Sequence, residues 1–153
     1  MPTLINDEMK RQIIMDHYQN PRHKISHEKD KKYLTVHSKS LSCIDDINVF
    51  LKIHSVSDLV EDASWEGVAC AISTASTDIL CDLLIGKNKK EALKIIDEYF
   101  KMLKEEKFNE ELLDEAIAFD NTFKQAARIK CATIGWNAFK ELLEKKDEKK
   151  SKK

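Results

Sequence analysis

Glycine is scarce in this chain, with three in 153 residues, and that scarcity removes several function classes at once. Glycines dispersed at 67, 86 and 135 cannot build the closely spaced fingerprint of a dinucleotide site. Gly86-Lys87 lacks the upstream glycine of a phosphate loop, and the chain has no G-x-S-x-G elbow for a serine hydrolase. An excess of either charge is also missing. Lys and Arg total 26 against 27 Asp and Glu, so no domain-wide field favours nucleic acid or an anionic membrane. Long apolar runs are absent too. Asp7, Glu8, Lys10, Arg11 and Asp16 interrupt Met9, Ile13, Ile14 and Met15, which argues against a signal peptide or a membrane span. The four cysteines then read as thiols rather than disulfides, because the cytosol keeps thiols reduced, and the expected location is the cytoplasm.

What remains is enough for one domain with a real core, since hydrophobic residues make up 42% and charged ones 35%. Met9, Ile13 and His17 repeat at helical spacing until Asn20-Pro21 stops the pattern, which predicts a helix over about 6–19. A polar loop, expected to be solvated and to include His23 and His27, follows through Lys32. Leu34 with Val36, then Ile47, Val49, Leu51 and Ile53, alternate as strands, and 59–65 reads as a third strand ending at Gly67. Three sequential short strands suggest an antiparallel meander.

From Cys70 the period becomes helical. Ile72, Ala75, Ile79 and Leu83 form one stripe that Gly86 can cap, and Asn88 and Asn109 can each open a further helix. Ile129, Ala132, Trp136, Phe139 and Leu143 define the last helix. The domain is expected to span 1–144, with 145–153, which has no apolar residue, as a charged disordered tail.

The chemistry lies in Cys43-Ile44-Asp45, Cys70 and Cys131. Taken singly, each cysteine reads as a small buried hydrophobe. As a set, three thiolates and a carboxylate suit one tetrahedral zinc ion, because soft sulfur and a completing oxygen meet no geometric preference in that metal. Cys70 and Cys131 are each expected in the first turn of a helix, with Arg128 and Lys130 adding positive charge beside Cys131. Cys43, on the connection between two strands, is expected to be the thiolate that does the work. Cys81 lies eleven residues beyond Cys70, about 16 Å along a helix, and reads as core.

Met15-Asp16-His17-Tyr18-Gln19-Asn20-Pro21-Arg22, the run from Val60 to Gly67, Cys70-Ala71-Ile72-Ser73 and the segment from Ala127 to Thr133 follow one another in an order that resembles the U-type iron–sulfur assembly family. That family comprises IscU, the N-terminal part of NifU, and SufU. Lys130 before the last cysteine, and the extra segment between Cys70 and Cys131, resemble the SufU branch. The resemblance implies an α+β fold, here a three-stranded antiparallel sheet packed against about five helices. It also implies a zinc ion held by Cys43, Asp45, Cys70 and Cys131, with Arg128 supporting. The implied partner is a PLP-dependent cysteine desulfurase whose persulfide sulfur passes through Cys43 towards cluster assembly. A scaffold for a [2Fe–2S] cluster on the same residues, or a purely structural zinc domain, stands as the alternative. Ile44 and Ala69 occupy positions where the family carries glycine, so positive φ is no longer freely accessible there.

Overall fold

The structure, a computed structural model, describes residues 6–40, 44–120 and 126–151. The elements run α1 (Asp7–Gln19), β1 (Leu34–Lys39), β2 (Asp46–Ile53), β3 (Val60–Val68), α2 (Ala71–Leu84), α3 (Lys89–Leu103), α4 (Glu110–Leu113), a 3-10 segment (Asp114–Phe119) and α5 (Ala126–Ser151). This is the α+β arrangement that the resemblance implies, and the residue pattern's three-stranded antiparallel meander runs in the order β1-β2-β3. No helix among the described residues is long and apolar enough to cross a membrane.

Local chemistry explains most boundaries. The Asn6 side chain accepts the Met9 N–H and opens α1, which closes before Pro21. Gly86, at φ +89, takes the chain out of α2 and donates its N–H to the Val60 carbonyl, tying the helix end to the sheet. Asn88 and Glu91 form a reciprocal capping box at the start of α3.

Alternation along β2 sends Ile47, Val49 and Leu51 into the core beneath the helices, while Phe50 is buried on the opposite face. That second face is covered by the loop after α1. His27 stacks on Tyr33 at 3.9 Å and meets Phe50 edge-on at 6.0 Å, and His23 lies 2.5 Å from Asp82. The expectation of a solvated loop is therefore corrected for both histidines. The loop is held down because the Trp65 N–H donates to the His23 carbonyl and Lys24 covers the Trp65 ring.

Two further differences concern helices. Asn109 caps α4 as predicted, but Asp114 at φ +47 breaks the helix after one turn. The chain continues as a 3-10 segment, whose three-residue period puts Leu113, Ala116 and Phe119 on one buried side. At the other end α5 runs to Ser151, through the stretch 145–151 expected to be disordered. Lys and Glu are good helix formers, and the buried stripe Ala132, Trp136, Phe139 and Leu143 has already paid the nucleation cost.

The contact that matters most for the site is the crossing of α2 and α5. A Cβ placed on Gly135 would lie 2.1 Å from Thr77 Oγ1 and 2.8 Å from Thr77 Cβ, so the glycine admits the threonine directly against the helix backbone. Beside it, Trp136 Nε1 donates to the Ser76 carbonyl at 3.1 Å and its ring stacks on Tyr99 at 3.5 Å. The Tyr99 hydroxyl in turn donates to the Ala132 carbonyl at 2.8 Å.

Gly135→Ala is expected to cost about 2 kcal/mol, the usual scale of overpacking, although alanine is the better helix former. Thermal denaturation measures it, and adding Thr77→Ala should recover part of the loss. An unchanged or raised Tm in the single variant would mean that the helices do not meet this closely.

Candidate metal centre

Three of the four predicted ligands converge at the start of α2. Asp45, in the connection between β1 and β2, is 1% exposed, and its carboxylate is fixed on both oxygens: Oδ1 accepts the Cys70 N–H at 2.8 Å and Oδ2 accepts the Ser73 hydroxyl. Cys70 is the N-cap of α2, and its sulfur accepts the Ser73 N–H at 3.4 Å. The helix end thus supplies the donors that hold both groups in place. Cys131 approaches from α5 and is 8% exposed.

The sulfurs of Cys70 and Cys131 and a carboxylate oxygen of Asp45 all lie within 4.8 Å of one another. Donors at roughly 2.3 Å from a tetrahedral ion stand about 3.8 Å apart, so this spacing needs little closure to grip a metal. Cys43, the fourth predicted ligand and the expected working thiolate, falls outside the described residues. Its neighbour Ile44 is 63% exposed.

Cys131 differs from the expectation in one respect. α5 begins at Ala126 rather than at the apolar stripe, which puts Cys131 five residues inside the helix instead of in its first turn. The helix-end argument therefore applies to Cys70 but not to Cys131. Arg128 lies on α5 one turn before Cys131, with its side chain exposed. Cys81 is fully buried in the core, where burial pushes its thiol well above the ordinary value.

Ala69 takes no positive φ, so the loss of glycine at that position introduces no backbone strain. Gly67 is different. It sits at φ +125, and a Cβ there would lie 2.3 Å from the Asp46 carbonyl oxygen, next to the predicted ligand Asp45.

A second polar cluster lies farther along α2, and the sequence reading missed it. Asp78 is 0% exposed and accepts from His17 Nδ1 at 2.7 Å, Arg22 N–H at 3.0 Å, His23 N–H at 2.8 Å and Trp65 Nε1 at 3.3 Å. Nε2 of His17 faces Glu115 at 2.9 Å. Burial alone would discharge both groups. The hydrogen bonds outweigh it, raising His17 above its ordinary value and lowering Asp78 below its own. His17, Asp82 and Glu115 also lie within 4.8 Å of one another, but Arg22 Nη1 stands 2.7 Å from His17 Nε2 and brings a cation of its own. The available signal was an aspartate beside the apolar stripe of Ile72, Ala75, Ile79 and Leu83, which a purely periodic reading passes over.

The segment from residue 9 to residue 152 matches the family model described as the NifU-like N-terminal domain. The chain belongs to that family. It is 33% identical over 143 residues to the zinc-dependent sulfurtransferase SufU of Bacillus subtilis (strain 168), covering 92% of this chain and 93% of that protein. It is also 35% identical over 107 residues to the iron-sulfur cluster assembly scaffold protein IscU of Thermotoga maritima, covering 70% of this chain and 74% of that protein. Among solved structures it resembles an iron-sulfur cluster assembly scaffold protein for the SUF system from Fervidobacterium islandicum AW-1. The TM-score is 0.77 at 30% identity, over 86% of this chain and 94% of that one. Membership of an iron–sulfur cluster assembly family therefore stands on sequence and fold together.

The Asp78 cluster generates a prediction with a defined sign. His17, raised in the folded chain, stabilises it fully below about pH 6.5, and that contribution is lost as pH rises through the folded value. Asp78→Asn should cost about 3 kcal/mol by removing the charge that pairs with a buried imidazolium, and should drop the His17 titration seen by NMR. A His17 titration unmoved by Asp78→Asn would contradict the assignment.

Proposed function

We propose that this chain accepts persulfide sulfur from a PLP-dependent cysteine desulfurase in the cytoplasm and hands it on towards iron–sulfur cluster assembly, as a member of the SufU branch. The supporting observation is the convergence of Asp45, Cys70 and Cys131 within 4.8 Å, with Cys43 two residues from Asp45. Three thiols and one carboxylate fit zinc, and Cys43, Asp45, Cys70 and Cys131 would hold it. Bound zinc keeps coordinating thiols in the thiolate form at neutral pH.

The residues then divide the work. Asp45 is oriented by the Cys70 N–H and the Ser73 hydroxyl, and Cys131 is shielded by burial; these groups hold position. The Cys43 thiolate attacks the terminal sulfur of the partner's cysteine persulfide. A new sulfur–sulfur bond forms to Cys43, the bond from that terminal sulfur to the partner's own cysteine breaks, and the partner leaves as a thiolate. No net oxidation occurs. Arg128, one turn from Cys131, adds a positive charge that orients the incoming anion. Lys130 and the additional segment between Cys70 and Cys131 favour the SufU branch, whereas the likeness to IscU scaffold proteins supports a second reading, in which the same four residues hold a [2Fe–2S] cluster during its assembly.

Cys43→Ser is expected to abolish stimulation of desulfurase sulfide release while leaving the fold intact by circular dichroism. Undiminished stimulation would remove the sulfur-transfer role. Elemental analysis with visible absorption separates the two metal readings, since zinc is colourless and a [2Fe–2S] cluster absorbs. Chelation of the metal should end sulfur acceptance with most helix retained; global unfolding on chelation would instead indicate a structural zinc site.

A further inference from the structure

A cleft of about 610 Å³ opens beside the metal-ligand cluster, with His37, Ser38, Lys39 and Ser40 on one wall and Lys130, Thr133, Ile134 and Asn137 on the other. Four consecutive residues on one wall mean that β1 presents its edge there, because a strand seen face-on offers only every second side chain. β1 is the first strand of the sheet and pairs only with β2 among the described residues. Such an edge has backbone donors and acceptors free to take up another strand. The opposite wall is a single face of α5, as the spacing 130, 133, 134, 137 requires.

The cleft is cationic. Lys39 and Lys130 form no ion pair with a described residue, and the nearby carboxylate of Asp46 is already paired with His37. One end reaches the ligand cluster from both walls: Lys130 precedes Cys131, and the Ser40 N–H donates to the Asp45 carbonyl at 2.9 Å.

We propose that this cleft receives an extended, carboxylate-bearing segment of the sulfur-donating protein, added as a fourth strand along β1 with its acidic side chains against Lys39 and Lys130. The inference rests on the sulfur-transfer reading above and gives that partner a place to dock. Strand addition supplies affinity through the backbone, and the two lysines fix which end of the segment lies against the metal ligands.

The test uses the intact zinc-loaded chain with a purified cysteine desulfurase. Lys39→Glu and Asn137→Glu, neither of them a proposed metal ligand, should each raise the concentration needed for half-maximal stimulation several-fold and together more than tenfold. Maximal rate and zinc content should not change. Amide hydrogen exchange over residues 35–39 should slow when the complex forms. Native-like stimulation by the double variant, or unslowed exchange in β1, would overturn the cleft while leaving sulfur transfer by Cys43 intact. Lys90→Glu on α3 should behave as the native chain, and an equal defect there would reduce the effect to general charge and overturn the docking site. Failure of the native chain to stimulate at all would fell the underlying reading, and the cleft with it.

Discussion

The fit of Thr77 into the space above Gly135 fixes how closely α2 and α5 can approach, and the metal-ligand cluster depends on that approach. Both cysteines lie on the N-terminal side of the crossing, Cys70 seven residues before Thr77 and Cys131 four residues before Gly135. At 1.5 Å per residue these offsets are about 10 Å and 6 Å along the two axes. A wider crossing would part the sulfurs without touching either cysteine. The aromatic lock of Tyr99 on Trp136, with its hydrogen bond back to Ala132, braces the same stretch of α5 from the other side.

Composition makes the close approach possible. The buried length of α2 includes Ser73, Thr74, Ser76, Thr77 and Asp78, an unusually polar set for a helix at the centre of a domain. Small side chains bring neighbours near, and most of their polar atoms are answered: Ser73 by Asp45, Thr74 by Ala69, Ser76 by the Ser73 carbonyl and Asp78 by four donors. Polar burial here is specific rather than wasteful. Asp45, reaching the start of α2 from the strand connection, and Asp78, on α2 itself and holding the chain after α1, tie the helix at two heights, so the sheet cannot slide relative to α2 without leaving a buried charge unpaired.

The parts legible in the sequence are those that local chemistry decides. The period-2 run from Ile47 to Ile53, the asparagine caps at Asn88 and Asn109, and Gly86 after α2 each act within a few residues, and the meander and most helices follow from them. The parts that were not legible are set by contacts distant along the chain. Polarity alone releases the loop of His23 and His27 into solvent, but Asp78, more than fifty residues later, holds its backbone down. Leu113, Ala116 and Phe119 adopt a 3-10 period only because a core already exists to receive them. Cys131 falls deeper in its helix than expected because Ala126 and Ala127 extend α5 without contributing to the apolar stripe that marks helices in a sequence.

The three converging side chains come from three separate elements, and this shapes what the cluster can do. Asp45 arrives from a strand connection, Cys70 from a helix cap and Cys131 from within a helix, so no local segment can form the site before the fold assembles it. Their environments are also unequal. Asp45 is 1% and Cys131 8% exposed, whereas Ile44, between Asp45 and Cys43 in sequence, is 63% exposed. A closed structural site would bury every donor alike. Here two of the three converging side chains, Asp45 and Cys131, are enclosed, and Ile44 next to Asp45 is open to solvent. A reactive sulfur needs access together with partners that stay in place when it leaves. The proposed sulfur transfer draws on that asymmetry, with Asp45 and Cys131 as the groups that stay in place.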